Sequence, residues 1–282
     1  MRKGIAIQLQ IVTLLRTIRL KLALVAITLL NFSGREPHTS LPADGRSSYL
    51  IDTIVIDAGH GGKDPGAIGK KGQEKDITLK VALKVGNYIE KNIPGVKVIY
   101  TRKDDRFVEL FQRADIANKA KAKLFISIHV NSIPTGTAYG TETFVMGLHK
   151  SESNLEVAKR ENSVILLDEN YQERYEGFDP NSPESYILFS LSQNAYIESS
   201  LLFADKVEQQ FKKRVGRYSR GVKQAGLIVL HRSSMPSVLI ELGFISHPKE
   251  EDFLLSENGQ DLLASGIYRA FKEYKAQQEA IN

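Results

Sequence analysis

Two histidines each follow an apolar segment that is typical of a buried strand. His60 comes shortly after Ile54–Ile56, and His129 comes directly after Leu124–Ile128. The carboxyl ends of parallel strands line one crevice, so side chains that follow two such strands can converge there. Either histidine alone is more typical of an ordinary loop, but the pair at equivalent strand ends favours a shared functional site.

Glu74 stands where a charged side chain is unexpected. The spacing of apolar residues predicts a helix over 74–92, and Glu74 falls on the same face of it as Ile77 and Val85. A buried carboxylate needs a cation, a hydrogen-bond network or a metal ion to offset its desolvation. The alternative is a helix that begins later, with Asp76 as its N-cap and Glu74 in solvent.

Glu241 is a second charged residue in apolar surroundings, inside the predicted strand Ser237–Leu242. A salt bridge to a nearby lysine is the ordinary explanation for such a residue. Because a strand end here would open on the crevice that holds the histidines, Glu241 is also a candidate general base.

Two histidines and one carboxylate are a common ligand set for catalytic zinc, with water in the open fourth position. His60, Glu74 and His129 can supply that set. Zinc lowers the pKa of its water toward neutrality, and Glu241 can take the proton as the water attacks a carbonyl. The absence of cysteine excludes thiolate ligands and thiol catalysis. The sequence also lacks H-E-x-x-H, nucleophile-elbow and phosphate-loop motifs, so the residues predict a metal-assisted amide or ester hydrolase.

These residues require a sheet whose strand ends bring them together. Up to residue 131, strand and helix patterns alternate, which predicts a largely parallel sheet with both faces covered. We expect a single α/β domain over 51–276, with helices on both faces of a mixed, mostly parallel sheet. The expected strands are 54–56, 96–100, 124–128, 139–146, 226–230 and 237–242. The expected helices are 74–92, one around 110–117, 154–168, 184–214 and 258–275.

The first 33 residues differ from the rest of the chain, because they carry five basic residues and no acidic one. Their apolar run Leu22–Leu30 has nine residues, too few to span a bilayer of about 30 Å, so residues 1–33 are interpreted as a signal peptide. A second apolar patch at 5–15 leaves an uncleaved membrane anchor as the alternative. Residues 34–50 are rich in Pro, Ser, Gly and charge, which is typical of a linker.

The net charge of +5 lies wholly in that leader. Without these five basic residues, the chain has 33 Lys and Arg and 33 Asp and Glu, so its formal net charge is zero. The neutral remainder gives no indication of a nucleic-acid partner, and membrane contact is expected only through an uncleaved leader.

Several segments, in one order over 51–275, resemble the zinc-dependent N-acetylmuramoyl-L-alanine amidases of the amidase type 3 family. They are IVIDAGHGGKDPGAIG (54–69), EKDI from Glu74, TRKDD (101–105), FVELFQRADIAN (107–118), LFISIHVNS (124–132) and PSVLIELGFISHPKE (236–250). The resemblance implies zinc held by His60, Glu74 and His129, with Glu241 as the catalytic carboxylate. It also implies the substrate, because the family cleaves the amide between N-acetylmuramic acid and L-alanine in peptidoglycan. We therefore expect export to the periplasm or cell envelope and a role in wall remodelling or daughter-cell separation.

Residues 147–183, here called the insertion, resemble a segment of division amidases in which a helix blocks the zinc site until an activator protein displaces it. The resemblance implies autoinhibition and such an activator as a partner. We expect one carboxylate of an acidic cluster to take the open zinc position; the cluster is Asp168, Glu169, Glu173 and Glu176. A solvated surface helix with ordinary charge patterning is the alternative.

Two other functions remain open at this point. One is a zinc hydrolase that cuts a different amide on the same scaffold. The other is a non-catalytic protein that binds wall peptide, although a mere binder has no need of a buried general base.

Overall fold

The computed structural model describes residues 50–190 and 195–281. The signal peptide or anchor expected over 1–33 and nearly all of the linker expected over 34–50 lie outside the described residues. None of the described helices combines the length and the hydrophobicity that a membrane span requires.

The described strands form one mixed sheet of six. They are β1 Thr53–Ala58, β2 Lys97–Tyr100, β3 Phe125–Asn131, β4 Thr141–Met146, β5 Ser219–Ala225 and β6 Ser237–Phe244. Their order across the sheet is β2-β1-β3-β6-β4-β5. The strands β2, β1, β3 and β6 are parallel to one another. Strand β4 runs antiparallel to β6, and β5 runs parallel to β4. The predicted mixed, mostly parallel sheet is confirmed.

Helices cover both faces of this sheet. They are α1 Glu74–Asn92, α2 Leu110–Lys119, α3 Glu152–Asn162, α4 Tyr171–Arg174, α5 Pro183–Ser190, α6 Ile197–Gln210, α7 Ile228–His231, α8 Pro248–Leu255 and α9 Glu257–Ile281. Apolar residues of α1, α6 and α9 pack in one core cluster, and those of α2, α3 and α7 pack in the other. The expected α/β domain with helices on both faces is therefore confirmed.

Strand alternation decides which side chains reach which face. In β3, Ile126 and Ile128 belong to the core under α1, α6 and α9, whereas Phe125 belongs to the core on the opposite side. Successive side chains of a strand point to opposite faces, so His129 lies on the same face as Phe125. By the same parity, Glu241 of β6 shares the face of Leu239. Both polar residues thus lie on the face that α3 covers.

The expected strand at 226–230 is wrong. Ile228–His231 form the short helix α7, and the strand is the preceding segment Ser219–Ala225. A short apolar run cannot distinguish a buried strand from a buried helical turn, and the polar sequence of an edge strand gives only a weak signal.

Two helix boundaries also differ from expectation. The helix expected over 154–168 is α3, Glu152–Asn162, continued by a 3₁₀ turn at Ser163–Leu167. The long helix expected over 184–214 is instead α5 and α6, because α5 ends at Ser190 and α6 begins at Ile197. A sequence pattern places the boundaries of helices less reliably than the helices themselves.

Candidate metal centre

His60 lies at the turn that follows β1. Its backbone φ is 59°, a left-handed conformation that is uncommon for a residue other than glycine and is typical of strained functional sites. Its Nδ1 lies 2.7 Å from Oδ2 of the buried Asp64, which fixes the orientation of the ring. Its Nε2 lies 3.1 Å from Glu74 Oε1.

Glu74 is the first residue of α1, and its side chain is fully buried. Its Oε1 accepts a hydrogen bond of 2.7 Å from the Val130 backbone, and its Oε2 accepts one of 2.8 Å from Ala67. The N-cap is Gln73, so the alternative of a later helix with Asp76 as its cap is excluded. The amphipathic pattern placed Glu74 correctly.

His129 meets the same carboxylate from β3, with its Nδ1 3.2 Å from Glu74 Oε1. The ring centroids of His129 and His60 are 4.8 Å apart. Gly59 allows this approach, because a Cβ there would lie 2.5 Å from the His129 ring. A residue with a side chain at position 59 would therefore displace the His129 ring.

A fourth side chain, Glu161 of α3, completes the group and was not among the predicted residues. Its Oε2 lies 2.8 Å from His129 Nδ1 and 3.3 Å from His60 Nε2. One ligand atom from each of His60, Glu74, His129 and Glu161 lies within 4.8 Å of the others. We call these four residues the four-residue cluster.

The acidic residues that were expected to occupy this position lie elsewhere. Asp168 pairs with Arg174 at 3.0 Å, and the exposed Glu176 lies 3.2 Å from Arg232. Glu169 and Glu173 are exposed. Net acidity does not show which side of a helix faces inward, whereas Glu161 lies on the buried face of α3 with Val157 and Ala158. Glu161 therefore carries the same sequence signal as Glu74, a carboxylate on the apolar face of a helix.

The electrostatics of the cluster favour a cation at its centre. Among the described residues, His60 Nε2, His129 Nδ1 and Glu161 Oε2 are buried without an aligned hydrogen-bond partner. Burial alone would lower the pKa of His129, but the Glu161 carboxylate raises it to about 9. Burial would raise the pKa of Glu74, but His60 holds it at about 2. Two imidazoles and two carboxylates with converging lone pairs fit a divalent metal ion such as zinc.

Glu241 lies beside this group, since it pairs in register with His129 across β3 and β6. It is fully buried, and its Oε1 lies 3.4 Å from Nη2 of Arg160 of α3. The ion partner of Glu241 is therefore an arginine of the insertion, and not a lysine as in the ordinary explanation. Burial and the nearby Glu161 carboxylate raise the pKa of Glu241 well above its usual range, against the opposing effect of Arg160.

Two buried arginines hold the backbone that carries His60. Arg113 Nη1 lies 2.7 Å from the fully buried Asp57, and its Nη2 donates to the His60 carbonyl at 2.8 Å. Arg102 donates to the carbonyls of Ala58 and Gly59 at 2.9 Å and 2.8 Å. These contacts stabilise the left-handed turn at His60. These contacts join residues 43 to 56 positions apart, so no local sequence pattern indicates them.

Two buried histidines, a helix-borne carboxylate and a neighbouring buried glutamate define the kind of site found in metal-dependent hydrolases. The family described as N-acetylmuramoyl-L-alanine amidase matches residues 54–273, and the chain belongs to this family.

Named relatives agree with this membership. The chain is 33% identical to the N-acetylmuramoyl-L-alanine amidase AmiC of Escherichia coli O6:H1 over 250 residues, which cover 86% of the chain and 56% of AmiC. The chain thus spans little more than half the length of AmiC. It is 32% identical to AmiA of Escherichia coli strain K12, with 78% of the chain and 75% of AmiA covered. The structure of the CwlD amidase from Clostridioides difficile in complex with the GerS lipoprotein matches 80% of this chain and 99% of CwlD, with 26% identity and a TM-score of 0.59.

Proposed function

We propose that this protein is a zinc-dependent peptidoglycan hydrolase that cleaves the amide between N-acetylmuramic acid and the L-alanine of the stem peptide. One observation carries the proposal: His60, Glu74 and His129 converge in a buried group, and the buried Glu241 lies next to His129 in register. Membership in the amidase family supports the choice of this bond over another amide.

In this proposal, His60, Glu74 and His129 hold the zinc ion, and Asp64 fixes the His60 ring. Bound zinc would polarise the scissile carbonyl and make a water molecule acidic enough to serve as nucleophile near neutral pH. Glu241 would accept a proton from the attacking water and return it to the leaving amine. Its burial suits this role, because a raised pKa brings the carboxyl group closer to the operating pH of a general base.

We further propose that the structure corresponds to an autoinhibited state. Glu161 lies where a water or substrate ligand of the metal would bind, and the adjacent Arg160 contacts Glu241. Arg160 Nη1 also donates to Asn131 Oδ1 and to the Ser132 carbonyl, each at 3.0 Å. Helix α3 must therefore move before a wall peptide can reach the site.

An activator that binds the open state better than the closed one would move α3 by shifting this equilibrium. The complex of CwlD with a lipoprotein is consistent with a protein partner for an amidase of this family. The expected leader at 1–33 supports export to the periplasm or cell envelope, with a role in wall remodelling or daughter-cell separation.

Digestion of purified peptidoglycan tests the proposal. The products should be glycan with free muramic acid ends and intact peptides that begin with L-alanine, identified by mass spectrometry. If the peptides begin at another residue, the protein is a hydrolase of a different amide. Binding without any product, in a zinc-loaded protein with α3 displaced, would indicate a wall-binding protein.

Two variants separate the roles of the site residues. Glu241→Gln should retain zinc and lose at least about a hundredfold in rate, because general-base catalysis typically contributes 10² to 10⁴. The double variant His60→Ala, His129→Ala should lose zinc. Full zinc occupancy in the double variant, or undiminished turnover in Glu241→Gln, would contradict the assignment.

A further inference from the structure

The row of polar residues on the site face of the sheet does not end at Glu241. Across β6 and β4, Glu142 pairs in register with Glu241, which itself pairs with His129. Residues paired in this way point to the same face of a sheet. Glu142 thus forms the next position in the floor of the crevice, on the side away from the zinc ligands.

Glu142 is 2% exposed and organises two cations on the neighbouring strand β5. Its Oε2 accepts a hydrogen bond of 3.1 Å from Nε of Arg220 and pairs with the ammonium group of Lys223. Its Oε1 accepts one of 2.6 Å from Nδ2 of Asn131. Because two cations share one carboxylate, Glu142, Arg220 and Lys223 together carry one excess positive charge.

Arg220 is held in a way that leaves much of its guanidinium group available. Among the described residues, it donates only through Nε to Glu142, and its guanidinium lies 5.2 Å from the centroid of the Phe244 ring. Its side chain is 35% exposed. A guanidinium fixed at Nε and packed on a ring presents its two Nη groups as a planar fork, the geometry that matches a carboxylate.

We propose that Arg220, oriented by Glu142 and assisted by Lys223, binds the free carboxylate of the second stem-peptide residue, a glutamate joined through its side-chain carboxyl. This inference rests on the proposed function, since it names a subsite for the same substrate. The distances agree. That carboxylate lies about 7 Å from the scissile nitrogen, at about 3.5 Å per residue. With the scissile nitrogen placed over the proposed general base Glu241, the guanidinium bonded to Glu142 lies one to two strands away from it, about 5–10 Å.

The test compares two ligands that differ at one group. Both are L-Ala-D-Glu peptides whose side-chain carboxyl is capped as an N-methylamide, because this carboxyl is amide-linked in the wall. One carries the free α-carboxylate, and the other carries an α-amide in its place. Their affinities are measured by calorimetry on the full-length, zinc-loaded protein, with and without Glu161→Ala to relieve the block by α3. The corresponding N-acetylmuramoyl dipeptides are measured as substrates. The acid should be preferred at least about tenfold in affinity and in kcat/KM with Glu161→Ala, as expected for loss of a charge-assisted hydrogen bond.

The variants locate this preference. Arg220→Gln should abolish it, and Arg220→Lys, which keeps the charge beside Glu142, should retain only part of it. Arg214→Gln is the matched control, because it removes an exposed arginine after α6 and should leave the preference unchanged. Thermal unfolding confirms that each variant is folded.

The outcomes for the subsite and for the amidase assignment are distinguishable. The subsite is overturned if the acid is still preferred after Arg220→Gln. It is also overturned if the Glu161→Ala protein with Arg220 intact shows no preference for the acid. Preferential binding of the acid without cleavage of either substrate supports the subsite and contradicts the amidase assignment. Cleavage of both substrates at equal rates, with equal affinities, supports the amidase and overturns the subsite.

Discussion

The four-residue cluster is held from two sides that differ in construction. On the sheet side, Arg113 is 1% exposed, Asp57 is fully buried, and the three backbone carbonyls at 58–60 all accept hydrogen bonds from arginines. On the insertion side, Arg160 is 30% exposed, and the chain after α3 forms short helices and turns. Local opening is easiest where burial and secondary structure are least, so the sheet side is expected to stay fixed while the insertion side moves.

The largest effect should come from breaking the fixed side. Arg113→Ala leaves Asp57 charged and unpaired in the interior, which typically costs about 3–5 kcal/mol. Arg174→Ala is the matched change in the insertion, where Arg174 is 38% exposed and pairs with Glu109 and Asp168, and should cost about 1 kcal/mol or less. Urea unfolding measures both. Equal losses would mean that the two sides do not differ in the proposed way.

Hydrogen exchange measures the same difference without substitution. Amides of β3 should exchange at least about a hundredfold more slowly than those of α4 and α5, because core strands open only with global unfolding. Mass spectrometry of peptides from 125–131 and 171–190 gives the two rates. Similar protection in both would show that the insertion is not the easily opened part of the domain.

A smaller effect is expected from removing the carboxylate that the insertion contributes. Glu161→Ala should raise the rate of wall digestion without any partner by at least about tenfold, since one charge-assisted contact is typically worth about 1.5–3 kcal/mol. Glu156→Ala is the control on the same helix, because Glu156 is 60% exposed and pairs only with Lys159 among the described residues. Dye release from labelled peptidoglycan gives the rates. A zinc-loaded Glu161→Ala enzyme no faster than the parent would contradict autoinhibition by this residue.

The smallest effect concerns Glu208 of α6, a buried carboxylate on the opposite face of the sheet. Burial raises its pKa, although hydroxyl groups of Ser219, Thr143 and Thr141 oppose this shift. A raised folded-state pKa gives stability that is complete below the unfolded-state pKa and is lost as pH rises through the folded-state pKa. The Glu208→Gln variant should therefore become slightly more stable relative to the parent as pH rises from 4 toward 7. Thermal unfolding across this range measures the difference, and a difference that shrinks with pH would contradict the assigned shift.

The parts of the site that the sequence predicted are those set by local periodicity. Glu74 was found because it lies on the apolar face of α1, and the two histidines because each follows a strand. Glu161 has the same position on the apolar face of a helix, but the blocking carboxylate was expected in the acidic cluster that begins at Asp168. The sheet and its covering helices were predictable for the same reason, except at the polar edge strand β5.

The supporting contacts were not predictable, and the reason is physical. Arg113 and Arg102 lie in ordinary helical and loop sequence, and their importance appears only when the fold brings them to carbonyls 43 to 55 residues away. Glu142 likewise acquires its role from strand pairing, which no local pattern specifies. A single sequence contains the residue types of such a network, but not the distances that join them.

The attachment of α3 has a consequence for how this segment tolerates changes in length. Asn154 Nδ2 donates to the Gln224 carbonyl at 3.3 Å, and Asn162 donates to the Gly226 carbonyl at 2.7 Å while accepting from Ile228 N at 2.9 Å. One residue inserted between the two asparagines would rotate part of α3 by about 100°. Glu161 and at least one anchor could then no longer face inward together. Residues added after the 3₁₀ turn leave this helical phase unchanged. Insertions and deletions should therefore be accepted in the later part of 147–183 and rejected between 154 and 162.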